Sequence, residues 1–171
     1  MSLLKAKRLA EVREEIDVAS NGLSELHGDF RKQINDQVMS EFADHLESNG
    51  FAVTKTQLGA QAEYKGLKIK LVLASPSDRY IGIYHSFDIL LNDKKKGVTV
   101  VPKFSGIPSR PSVRSGDAVQ ILEEDLQLIN QEVENVKLVS FKYDCAQPPI
   151  NPRAQPLIKE SVSEVLDLFL A

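Results

Sequence analysis

Three small groups of residues in this chain have types and spacings that could do chemistry. The first is Glu63-Tyr64-Lys65. Glu-x-Lys is the spacing at which metal-dependent nucleases place a carboxylate that helps to hold Mg²⁺ and a lysine that orients the attacking water. Residues i and i+2 of a strand face the same side, so the geometry is allowed. Such a site needs a second carboxylate, and residues 51–62 contain no Asp or Glu. Asp78 or Glu47 would have to supply it from a turn or a helix end. The bland alternative is a solvent-facing ion pair beside a turn, which is worth little.

The second group is His85 with Asp88 and Asp78. A histidine among carboxylates can act as a general base or hold a metal. His85 and Asp88 are three apart, however, so on a regular strand they face opposite sides. His27 and His45 fall on a helix and offer no second imidazole nearby. A satisfied structural histidine is the default. The third is Cys145. A nucleophilic thiol needs a helix N-terminus or a paired histidine to lower its pKa, and no helix is expected to start there. No residue is therefore assigned a catalytic role, and no metal or cofactor is expected; Glu63, Lys65 and Asp78 remain the weak candidates. The chain leans away from being an enzyme.

Binding is better supported than catalysis. Lys103, Arg110 and Arg114 lie in a Pro-rich stretch that enters a helix N-terminus, where free N–H groups and Arg forks can cradle an anion. Asp117 already neutralises that helix end, and no Gly-Lys-Ser/Thr motif is present. Lys94, Lys95 and Lys96, with Lys65, Lys68 and Lys70, could form a basic face for nucleic acid or an acidic protein, or simply a solvated turn. Net charge is only −3, yet it is unevenly spread. Residues 1–50 carry six Lys/Arg against ten Asp/Glu, residues 51–114 eleven against four, and residues 115–171 four against ten. The basic middle either complements the acidic flanks or meets an acidic partner.

The elements that position these residues follow from periodicity. Leu9, Val12, Ile16, Ala19, Leu23, Leu26 and Phe30 recur at steps of three and four, the spacing of a coiled-coil seam. Ile34, Val38, Phe42 and Leu46 then follow at steps of four, which suits a helix lying on a globular core. The spacing predicts one helix over 3–48, continuous across Asn21-Gly22 because the seam keeps phase there. Residues 51–103 read as an antiparallel meander with strands at 51–57, 61–65, 67–73, 80–91 and 98–101, Gly82 being a bulge and 92–97 a loop. A long loop follows over 102–116. Val119, Leu122, Leu126, Ile129, Val133 and Val136 form a second seam on a helix over 117–135. One further strand spans 137–144, and a closing helix spans 157–170.

Hydrophobic residues at 42% and charged residues at 26% describe a globular chain. A single cysteine and no secretory signal core favour a reducing, cytoplasmic setting. Aromatic residues make up only 6% and Trp is absent, which weakens any stacking platform for single-stranded nucleic acid. No apolar run is long enough to span a membrane. The fold class is α+β. A helical segment over 1–48 precedes an α+β domain over 49–171, and together they are expected to fold as a single unit. The expected function is a non-enzymatic protein-interaction or assembly module. It would be a homodimer through Leu9, Val12, Ile16, Leu23, Leu26 and Phe30, or bind a protein through the basic face or the 103–116 loop. Nucleic-acid binding by residues 51–114 is the alternative, and a nuclease at Glu63 and Lys65 the more remote one.

Overall fold

A computed structural model describes residues 1–171, and the architecture is α+β. Helix α1 runs from Leu3 to Ser48 without a break at Asn21-Gly22. Seven strands follow in an antiparallel sheet whose spatial order is the chain order: β1 (Ala52–Thr56), β2 (Gly59–Tyr64), β3 (Leu67–Leu73), β4 (His85–Leu91), β5 (Lys94–Ser105), β6 (Lys137–Asp144) and β7 (Ile158–Lys159). Helix α2 (Ala118–Asn135) joins β5 to β6, and α3 (Val162–Leu170) closes the chain.

The chain divides into two compact units. One comprises Met1–Asp29 and Phe104–Val139, and the other Phe30–Lys103 and Ser140–Ala171. In the second unit the step-of-four series of α1, Ile34, Val38, Phe42 and Leu46, is wholly buried. The buried positions of the strands alternate, as period two requires: Ile69, Leu71 and Leu73 on β3, Phe87 and Ile89 on β4, Val98 and Val100 on β5. Val162, Val165, Leu166 and Phe169 of α3 complete this core. A side chain also ties α1 to α3: Glu41 Oε2 accepts the Val162 N–H at 2.9 Å and so fills one orphan donor of the short helix.

In the first unit, α1 and α2 lie side by side and run the same way. Lys5 pairs with Asp117 at 2.6 Å, and Arg8 with Glu123 at 2.9 Å, so both numbers rise together. Asp117 is the N-cap of α2 and forms a capping box with Gln120.

Besides shifts of one or two residues at β1 and β2, four boundaries differ from the sequence reading. Residues 80–84 are not part of the fourth strand, which starts at His85; Gly82, at φ +79°, makes a turn and not a bulge. Lys94, Lys95 and Lys96 are strand and not loop, because Asn92 and Asp93 both adopt positive φ and close the hairpin in two residues. The long loop starts after Ser105, since β5 continues to that point. Residues 158–159 pair with β6 as a seventh strand, and the last helix waits for its cap, Ser161, whose hydroxyl accepts the Glu164 N–H.

Candidate functional site

Arg31, Asn35 and His85 are the buried polar or charged side chains of the protein, and all three meet at one place. Asn35 Nδ2 donates to the Ala74 carbonyl at 3.0 Å. Its Oδ1 is therefore the acceptor for His85 Nε2 at 2.6 Å, which fixes the proton on Nε2. One turn earlier on α1, Arg31 Nε donates to the Tyr84 carbonyl at 3.0 Å, and its guanidinium lies 4.5 Å from the Tyr84 ring centre. Burial pushes His85 down to about 4, with the Arg31 charge adding to the effect and Asp78 opposing it. Burial likewise pushes Tyr84 up to about 12, against the pull of Arg31. His85 is thus neutral and already donating at neutral pH. A base needs a free lone pair facing substrate; with the proton on Nε2 that lone pair is on Nδ1, and the ring is buried away from solvent.

These contacts grip both ends of the segment from Ala74 to Tyr84. Between the grips the chain makes two turns. Asp78 N–H donates to the Ser75 carbonyl at 3.0 Å, and Ile83 N–H approaches the Tyr80 carbonyl at 3.4 Å. The second turn lifts two large apolar side chains into solvent: Ile81 is fully exposed and Tyr80 is 56% exposed. Apolar side chains on monomer surfaces are common singly. Here a fully exposed isoleucine sits beside an aromatic ring, on a turn anchored by the protein's buried polar side chains. Asp78 and Arg79 flank them.

The residues singled out from sequence are placed as follows. Glu63 faces Lys68 across the β2–β3 ladder, whereas Lys65 has left the strand: its φ is +46°, and its Nζ lies 5.3 Å from the Tyr64 ring centre. The two are not brought together on one face, and Asp78 sits in the gripped segment, after β3 has ended. No group of three or more His, Cys, Asp or Glu side chains is arranged to hold a metal ion. Asp88 pairs with Lys95 at 3.1 Å. His85 and Asp88 occupy opposite faces of β4, one buried and one not. Cys145 is buried at a strand end, and burial, reinforced by Asp144, raises its thiol to about 11.

The lysines do not form one surface. Strand register puts Lys68, Lys70 and Lys95 on the open face, with Lys103 following by alternation. Lys96 points to the other side, 5.1 Å from the Phe169 ring centre, and Lys94 shares that side at the strand's start. On the open face Lys70 lies 3.8 Å from Asp93. In the loop before α2, Arg110 bonds Glu132 at 2.8 Å and Arg114 forks onto both oxygens of Asp125. Both arginines are thus turned back onto α2, and they leave no ready anion cradle.

Every seam residue of α1, Leu9, Val12, Ile16, Leu23, Leu26 and Phe30, is at least half-sheltered, Val12 completely. The large apolar residues that α1 exposes lie off the seam: Leu3, Leu4 and Val18. Helix α2 has no fully buried residue despite its own apolar stripe. Beside it, Glu11, Glu14, Glu15, Val18, Ala19, Leu126 and Asn130 line a groove of about 510 Å³. No helix is long and apolar enough to cross a membrane.

Comparison with known proteins supplies no relative: no protein family, no curated protein and no solved structure matches this chain.

Proposed function

We propose that this chain is a non-enzymatic interaction module that docks the Tyr80–Ile81 turn into an apolar cleft of a partner protein, and that it self-associates through its helical unit. One observation carries the first part. The side chains that are most costly to bury, Arg31, Asn35 and His85, hold the base of a turn whose tip displays Tyr80 and Ile81. A rigid base lowers the ordering cost of binding, and an aromatic residue beside an aliphatic one is the usual make-up of an energetic anchor. A bilayer is a poorer match, because the tip is two side chains wide and Asp78 stands beside it. Nucleic acid is poorer still: the open-face lysines stand among carboxylates, and their strands hold no stacking aromatic on that face.

The test compares proteins retained from native extract by the parent, by Ile81→Asp and Tyr80→Asp, and by the control Thr54→Asp on the exposed edge strand. The proposal expects a defined partner that both turn variants lose and the control keeps. Identical retention by all four folded proteins overturns it.

A further inference from the structure

The self-association of the helical unit can be given a geometry. We propose that a second copy of this chain docks antiparallel along α1, so that Leu4 of each copy enters the groove beside Val18, Ala19 and Leu126 of the other. This rests on the self-association reading of that unit and is independent of the Tyr80–Ile81 turn.

Leu4, Lys7, Glu11, Glu14 and Val18 follow at steps of three and four, and so share one stripe of α1. The stripe is apolar at both ends, with Leu4 81% and Val18 68% exposed, and charged between. The charges change sign along it: Lys7 lies toward the Leu4 end and Glu14 toward the Val18 end. A twofold axis beside Glu11 turns the stripe onto itself. Leu4 then meets Val18 of the other copy, and Lys7 meets Glu14, twice over by symmetry. A parallel pairing would place Lys7 on Lys7 and Glu14 on Glu14. Glu14 forms no ion pair within its own chain, and the Lys7 ammonium is only loosely held, 3.7 Å from Glu11. Both are therefore free to bridge. The groove supplies the pocket: Val18, Ala19 and Leu126 give it apolar lining, and the carboxylates of Glu11 and Glu14 beside them suit the Lys7 that arrives with Leu4, whereas Lys5 and Arg8 are held by Asp117, Glu123 and Glu15 of their own chain. The one unfavourable contact is Glu11 against its symmetry mate at the axis.

Sedimentation velocity on the full chain tests the pairing. Lys7→Glu should weaken dimerisation by about tenfold or more, Lys7→Glu with Glu14→Lys should restore it, and Glu11→Gln should tighten it. In a Cys145→Ala background, Leu4→Cys mixed with Val18→Cys should give a disulfide between different copies under mild oxidation, and Leu4→Cys alone should give none. A dimer that ignores the Lys7 and Glu14 swap, or a Leu4→Cys protein that crosslinks to itself, overturns the antiparallel seat and leaves self-association standing. A monomer throughout the micromolar range overturns both. The charge-swap series keeps the native cysteine, so it remains decisive if the Cys145→Ala protein folds poorly.

Discussion

Acidification should destabilise this protein through His85, and the size of the effect follows from its surroundings. The imidazole is neutral in the folded state because burial and the Arg31 charge hold its pKa at about 4, whereas an unfolded histidine titrates near 6.5. Above 6.5 neither state binds the proton, and the full stability is present. Between 6.5 and 4 only the unfolded chain is protonated, so stability falls as pH falls, by up to about 1.4 kcal/mol per pH unit and about 3 kcal/mol in total. Below 4 both states carry the proton and this loss stops. Other carboxylates contribute their own acid dependence, so the measurement is a difference. Urea unfolding of the parent and of His85→Gln, in half-unit steps from pH 7.5 to pH 4, isolates the histidine. Glutamine keeps a donor for Asn35 Oδ1 but cannot titrate. The parent should be the more stable protein at pH 7.5 and should lose that advantage on the way to pH 4. Parallel stability profiles would refute the account of His85 as a buried, neutral donor.

Three further outcomes follow from single contacts. Tyr143 is buried, and its hydroxyl has no hydrogen-bond partner. Tyr143→Phe should therefore leave thermal stability unchanged or raise it by up to about 1 kcal/mol; a loss beyond that would show the hydroxyl to be bonded. Gly106 has φ +77°, and a Cβ there would collide with the Asn135 carbonyl, so Gly106→Ala should cost more than about 2 kcal/mol in denaturant melts. Cys145 should react with a thiol reagent only as fast as the protein unfolds, because it is buried and its thiol is held at about 11. Rapid labelling of the folded protein would contradict its placement.

Much of the architecture is written in local pattern. The single long α1 and the Asp117 start of α2 are set by neighbours in sequence, and the structure has both; the step-of-four series after Phe30 is buried on the core, as its spacing suits. Strands β1 to β3 are equally local, since Leu67 to Leu73 alternates and Lys65-Gly66 closes a two-residue turn. The errors fall where tertiary contacts decide. Tyr80 to Leu91 reads as one apolar strand, but its first part is drawn away by Arg31 and Asn35, some fifty residues earlier in the chain, which grip Tyr84 and Ala74. Ile158 and Lys159 have too little sequence to announce a strand; Asp144 and Tyr143 recruit them. The candidate site was hidden for the same reason. His85 is legible as a satisfied structural histidine and Gly82 as a bulge, but nothing near Tyr80 says that Arg31 and Asn35 join His85 beneath its turn.

Whether the Tyr80–Ile81 turn is the docking tip can be read from a photo-crosslinking amino acid placed at position 81 in the cells that make this protein. The account predicts one discrete adduct that disappears when Tyr80→Asp is added and is absent when the crosslinker stands at Thr54. A crosslinker at position 81 that captures nothing, or captures the same set of proteins as position 54, would contradict it.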